Sequence, residues 1–535
     1  MIFRDLVADR MDASGERVFL VDAATGREFT YAQFHKQACA VAVYLREQGV
    51  NPGDRVATVV PNCSELVVLY FACLYCGATI VPVNPNLSAT EADYILANCR
   101  PKCTAVSSSA RQRLSSALRG PISLSTSQDP VAPGTEVAID FNRLADSSSF
   151  VPFSEMSDDD LALIVYTSGT TAKPKGLAHH MGRMVRNAMA LAEVQEIDSN
   201  SRFYLTLSMA YMGGIYNLLL LPFLTGASVV VDHVFDARSS LTFWERARKF
   251  QVNTLWLAPT VLSILLKMDR GRQGEDYCRS SIRKMFVGFA PLSAKVKADF
   301  EARYGVRLIE SYGLSETLFV TARSRTSDDP RDNTQGYVGE SLPGIRLRAC
   351  DIHGSVVPSD DEGEIEVLTP DLMAGYLSGS GDLRKVDAGA WFPTGDYGRI
   401  DQTGSLFITG RRKDLIIRGG INISPAAIEE VLLHAARVVD AAVVSVPHEI
   451  YGEDIVAVLK LDPGTSLDSV LESIMAQCKQ ALAAHQQPSR YMAIDEFPRT
   501  SNGKIQKVRL RELVWEKLQI PPVDTASLAK ESTPA

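Results

Sequence analysis

Two hydrophobic periodicities alternate along the first hundred residues. Behind Thr30-x-x-Gln33, which has the form of a capping box, Phe34, Ala38, Val41 and Leu45 recur at helical spacing, and Gly49 supplies the stop. The apolar run RVATVV (55–60) then reads as a buried strand. A helix is expected from Ser64 to near Gly77, followed by the strand TIVPV (79–83). Ser88-x-x-Glu91 caps another helix that closes before Pro101, and CTAV (103–106) returns to strand. Alternation of this kind predicts an α/β fold with a largely parallel sheet.

The serine-rich segment 107–150 breaks the pattern and reads as a surface connection. From Asp159 to about Ile400 the alternation resumes, and GEIEVL (363–368) with SLFIT (405–409) suggests a barrel-like β piece near its end. A boundary is expected close to Arg412, giving one domain over 1–412 and a second, compact α/β unit over 413–520. Residues 521–535 lack apolar periodicity and read as a disordered tail.

At 535 residues the chain exceeds what one hydrophobic core supports, consistent with that division. Its formal net charge of -8, with no Lys/Arg-rich run, argues against a nucleic-acid binder. The uncharged stretches 66–82 and 203–231 are broken by glycines and Pro222, so each reads as helix, turn and buried strand rather than a membrane span. The N-terminus has scattered charges and no apolar core of a signal peptide, so a cytoplasmic protein is expected. Nine cysteines fit a reducing compartment, and Cys73 and Cys76, inside LVVLYFACLYC, read as core residues rather than metal ligands.

The strongest local signal is LALIVYTSGTTAKPKGLAHH (161–180). An apolar strand runs into Thr167, Ser168, Gly169, Thr170 and Thr171, with Lys175 beyond, and small residues let consecutive backbone N–H groups converge on a polyphosphate. The spacing is not that of Walker A. Four further segments follow in order: VGFAPLS (287–293), ESYGLSET (310–317), WFPTGDYGRI (391–400) continuing into GRRKDLIIRGGINISPAAIEE (410–430), and PRTSNGKIQK (498–507).

Together the five segments resemble the adenylate-forming superfamily of acyl-CoA synthetases, peptide-synthetase adenylation domains and beetle luciferases, closest in type to an acyl- or aryl-CoA ligase. The resemblance implies a large N-terminal domain of two mixed sheets with helices and a distorted β-barrel, and a small mobile α+β C-terminal domain. It implies ATP-dependent activation of a carboxylic acid as its acyl-adenylate, then transfer to a thiol. Coenzyme A is the expected acceptor; a carrier-protein phosphopantetheine or an amine stays open.

Residue by residue, the resemblance gives the loop 167–175 to the β- and γ-phosphates. Gly288, Ala290, Glu310, Ser311 and Tyr312 would form the adenine slot. Glu316 would bind Mg²⁺, Asp396 and Arg411 the ribose, and Lys413 would be the hinge. Lys504 would be the catalytic lysine, and Gly419 and Gly420 would line the tunnel for the thiol arm. The acyl pocket would be lined by Tyr211, Met212, Gly213, Tyr216, Phe286, Phe289, Leu314 and Phe319. No acidic residue in these stretches is placed to pair with an α-ammonium, so an apolar acid of limited length is expected rather than an amino acid. Ser424 should cap the helix that Pro425 opens. The sequence departs from the family pattern where Ala172 and Phe289 replace glycines, and where Met209 replaces a histidine.

Overall fold

The computed structural model of the chain describes residues 3–114, 118, 121–124, 156–167, 174–323, 329–419, 421–499 and 505–520. Both capping boxes form as expected. The Thr30 side chain accepts from the Gln33 amide while Gln33 accepts from the Thr30 amide, opening the helix Tyr31–Glu47. Ser88 and Glu91 do the same for Ala89–Cys99. Each box satisfies two backbone donors that a helix start leaves without intrahelical partners.

The uncharged stretches resolve as read: helix Ser64–Tyr75, a turn at Gly77, then strand Thr79–Pro82; and strand Arg202–Leu205, two short helices, then strand Ser228–Val231. Among the described residues no helix is long and apolar enough to cross a membrane. All nine cysteines are buried free thiols, and burial pushes Cys76 up to about 11.

Three sheets organise the chain. In the first, eight strands run in the order 383–385, 375–377, 175–180, 161–167, 79–82, 55–59, 103–107, 121–124. Its last strand corrects the reading of 107–150 as connection alone. Ser107 caps a helix Ser108–Arg113, and strand Pro121–Leu124 pairs parallel with Cys103–Ser107 at the sheet edge. A proline that opens an edge strand costs no interior ladder bond, and the serine-rich composition concealed the strand.

The second sheet has thirteen strands. A parallel run reaches from Val18–Asp22 through Ser228–Val231, Arg202–Leu205, Thr254–Leu257 and Lys284–Val287 to Leu308–Leu314. On its other side Leu308–Leu314 pairs antiparallel with Leu318–Ala322, and the antiparallel series continues through 337–341, 405–411, 392–400 and 362–368 to 346–350. The expected barrel-like piece is therefore hydrogen-bonded directly onto the parallel sheet. Strand Leu308–Leu314 is where pairing changes sense, and it carries Glu310, Ser311 and Tyr312. Residues past the carboxyl ends of parallel strands at such a change are the usual ligand site of an α/β sheet. The third sheet, from strands between 416 and 493, has its own core around Ile428, Val443, Ile455 and Leu459.

Candidate functional site

The apolar strand Leu161–Thr167 pairs antiparallel with Lys175–His180, in register at Thr167 and Lys175. These two residues therefore close the base of the expected phosphate loop. Ser168, Gly169, Thr170 and Thr171 lie outside the described residues, as do Ala172, Gly420 and Lys504. Strand Gly375–Leu377 pairs with Lys175–His180 on the other edge. That pairing puts the Tyr376 ring 6.0 Å from the Lys175 ammonium, and the Tyr376 hydroxyl donates to Glu316 Oε1 at 3.0 Å. One tyrosine thus links the base of the loop to the expected metal ligand.

The turn bearing Glu316 is fixed from two sides. Its carbonyl accepts from the Met373 amide at 2.8 Å, and the buried His179 donates from Nε2 to the Ser315 carbonyl at 2.7 Å. A carbonyl only accepts, so Nε2 carries the proton, and Nδ1 is buried without a partner among the described residues. Burial drives His179 down to about 4. Between the ordinary histidine value of about 6.5 and 4, the unfolded chain binds a proton here that the native chain refuses. This site should therefore cost stability as pH falls through that window and cost nothing above it. His179→Gln keeps a donor for Ser315 without the titration. The drop in melting temperature from pH 7 to pH 5 should be smaller in the variant than in wild type, by a few degrees of the order expected for about 1 kcal/mol. An equal drop would exclude His179 as the source.

On the antiparallel side, Asp396 and Arg411 are cross-strand partners, with Arg411 Nε 2.8 Å from Asp396 Oδ1. The Tyr312 hydroxyl donates to Asp396 Oδ2 at 2.7 Å. The sequence brings together three residues separated by nearly a hundred positions because strand pairing, not proximity in the chain, sets their distance. Asp396 is buried, and its carboxylate is an acceptor only. Glu310 points the other way. Its carboxylate lies 2.7 Å from the buried Arg323 and 3.9 Å from the buried Lys297, beneath the slot. Burial pushes Glu310 up to about 6 although both cations oppose the shift. Only its backbone is left to face a nucleotide.

The eight residues expected to line the acyl pocket separate into two layers. Tyr211, Met212, Phe289 and Leu314 are half-buried; Gly213, Tyr216, Phe286 and Phe319 are buried. Tyr216 and Phe319 stack at 5.0 Å, and the Tyr216 hydroxyl is taken by Asn187 Oδ1 at 2.8 Å, so Tyr216 backs the wall. Tyr211 receives a hydrogen bond from Asn84 Nδ2 at 3.1 Å. Gly213 and Tyr216 lie on a π-helix, Gly213–Leu220, a form frequent at functional sites. Phe289 adopts φ +73°, the left-handed region, which costs a non-glycine residue about 1–2 kcal/mol. Its ring is directed at Gly213, where a Cβ would come within 2.8 Å of the ring. The missing side chain at 213 makes room for the added one at 289.

The comparisons with known proteins agree over nearly the whole chain. Residues 7–377 match the model of the AMP-binding enzyme family, and residues 427–504 that of the AMP-binding enzyme C-terminal domain. The chain belongs to the AMP-binding enzyme family. A 3-[(3aS,4S,7aS)-7a-methyl-1,5-dioxo-octahydro-1H-inden-4-yl]propanoyl:CoA ligase of Rhodococcus jostii is 32% identical over 90% of this chain and 93% of its own. An indoleacetate–CoA ligase of Aromatoleum aromaticum is 30% identical over 92% and 94%. The crystal structure of ATP-bound MatB from Rhodopseudomonas palustris superposes with a TM-score of 0.83 at 28% identity, covering 97% of this chain and all of that one. This AMP-binding enzyme is an acid–thiol ligase: it activates a small carboxylic acid with ATP and passes the acyl group to coenzyme A.

At the junction of this AMP-binding enzyme, Lys413 is exposed in a short 3₁₀ turn, Arg412–Asp414, and Gly419 follows strand Ile416–Arg418 with φ +61°. Ser424 stands at the N-cap position but makes no cap bond. Its hydroxyl donates instead to the Thr409 carbonyl, across the junction, which corrects the capping role expected from sequence. Tyr376, His179 and Trp256 were missed by sequence reasoning. Tyr376 and His179 sit in ordinary strand text, and only the pairing of the two strands reveals their contacts with the Glu316 turn.

Proposed function

We propose that this ligase acts on an apolar, cyclic carboxylic acid of limited length. The observation that carries the reading is the seating of the Phe289 ring on Gly213, which narrows an otherwise aromatic-walled pocket. Two relatives point to the same class by their names, one acting on a bicyclic propanoic acid and one on indoleacetate.

In this reading Asp396 accepts from the ribose hydroxyls while Arg411 and Tyr312 hold its carboxylate in place. Gly288, Ala290 and the backbone of 310–312 flank the adenine. The loop closed by Thr167 and Lys175 takes the triphosphate. Glu316 supplies one carboxylate oxygen beside that loop, and Mg²⁺ commonly rests on one or two carboxylates plus substrate phosphates, so the donors fit it. Bound there, Mg²⁺ would neutralise charge on the phosphates. The small domain, 413–520, would carry Lys504 to the reacting centre, and Gly419 with Gly420 would line the path of the thiol arm.

The acyl class is tested at Phe289. Phe289→Gly relieves the positive φ and vacates the ring's volume, so larger acids should gain on smaller ones in kcat/KM for adenylation. An acid that rests on the ring should lose about 1–3 kcal/mol of packing. A graded series of cyclic acids assayed by pyrophosphate exchange reads the ratio directly. An unchanged size ranking would mean that the ring does not bound the pocket.

A further inference from the structure

Trp256 lies on strand Thr254–Leu257, in register with Phe286 of the neighbouring strand. It is 1% exposed and stacks on Phe286 at 4.6 Å and on Phe319 at 5.3 Å, so its ring is part of the aromatic wall. Its indole N–H has no hydrogen-bond partner among the described residues. An indole nitrogen can only donate, and buried donors in native folds are paired unless something else requires them. Its neighbours are defined. A Cβ placed on Gly288 would lie 3.5 Å from Trp256 Nε1 and 3.5 Å from both the Ser311 hydroxyl and the Ser311 carbonyl. The glycine at 288 thus leaves open, beside the donor, space that a side chain would fill. The Trp244 indole lies in a separate core, against Gly274 and the Tyr304 ring.

Sheet order identifies what the donor meets. Asp396 stands on the antiparallel side of strand Leu308–Leu314 and is held by Tyr312 of that strand; Gly288 follows the next strand on the other side, and Trp256 is one strand further still. The ribose group and Trp256 therefore lie on opposite sides of Ser311. A nucleotide held at Asp396 occupies the first side, and the acyl group the second. Around Trp256 pack the rings of Phe286, Phe289 and Phe319, an apolar surround that disfavours a charged acceptor. The partner is then a neutral acceptor.

We propose that Trp256 is a specificity-determining residue whose indole N–H donates, past Gly288, to a neutral acceptor oxygen on the acyl group, a ketone or an ether. This rests on the acyl-pocket reading above and narrows it: the preferred acid is apolar and cyclic but carries one such oxygen. A site built around an unpaired donor rejects the analogue that lacks the acceptor much more strongly than an apolar pocket rejects a change in size.

The test uses the full chain and pyrophosphate exchange with 3-cyclohexylpropanoic acid and its 2-, 3- and 4-oxo counterparts. One oxo acid should exceed the parent in kcat/KM by about tenfold to a hundredfold. Trp256→Phe should bring that ratio to near one, whatever it does to both rates. The wild-type ¹⁵N indole spectrum gives an answer independent of the variant's folding. Of four indole N–H signals, that of Trp256 should move downfield with the favoured oxo acid and not with the parent. Turnover of all four acids without preference, or a preference that survives Trp256→Phe, would overturn this proposal and leave the acyl class standing. Failure of every cyclic acid, while linear acids of similar size react, would overturn both.

Discussion

Lys504→Ala should lower adenylate formation by about 10²–10³ or more while ATP binding stays near wild type. A carboxylate must attack the α-phosphate in line, so two anions are forced together, and fixed positive charge at the developing centre is the main means of lowering that barrier. The described cations near the site are committed elsewhere. Arg411 is paired with Asp396, Arg323 and Lys297 with Glu310, and Lys175 sits by Tyr376 at the loop base. A lysine, a compact point charge on a flexible stem, suits delivery from a second domain. ATP should still bind because the residues proposed to contact its ribose and adenine all precede 412. Pyrophosphate exchange measures the loss and titration calorimetry the binding. Exchange within tenfold of wild type would remove Lys504 from the mechanism.

Lys413→Pro should separate the two half-reactions. Lys413 is exposed, and in its 3₁₀ turn the amide donations belong to Leu415, toward Arg411 and Arg412. Proline at 413 removes no backbone bond among those described, its fixed φ near -65° is that of a 3₁₀ turn, and its ring restricts Arg412 as well. The substitution should therefore hold the small domain in the orientation described, with Ser424 on the Thr409 carbonyl. One half-reaction should persist near wild type and the other fall by at least about tenfold. Single-turnover adenylate formation and thioester formation from preformed adenylate give the two rates. Equal loss, or none, would move the pivot away from Lys413.

Much of the frame was legible because it is locally encoded. Thr30 with Gln33 and Ser88 with Glu91 state a helix start within four residues, and the structure follows them. The approach of Asp396, Arg411 and Tyr312 is not local, and the family resemblance alone placed those residues at one site. The remainder is set by tertiary packing. Nothing in VGFAPLS marks Phe289 as left-handed, because a positive φ is written in sequence only when glycine or asparagine takes it. TLWL reads as core strand, which it is; what stands beside the N–H of its tryptophan, Gly288 and Ser311, is distant in the chain. Ser424 had the text of a cap, but a carbonyl across the junction took its hydroxyl.

The fit between Phe289 and Gly213 restricts how the enzyme can change by single steps. Alanine at 213 collides with the ring while Phe289 is present, so the ring would have to leave its seat. If position 289 first loses its ring, alanine at 213 is relieved of that clash, although Leu207 remains 3.3 Å away. The two positions therefore have a permitted order of substitution. A lineage that widened the pocket at 289 and then gained a side chain at 213 could not regain phenylalanine without first restoring glycine. In this pair, divergence toward larger acids works as a ratchet.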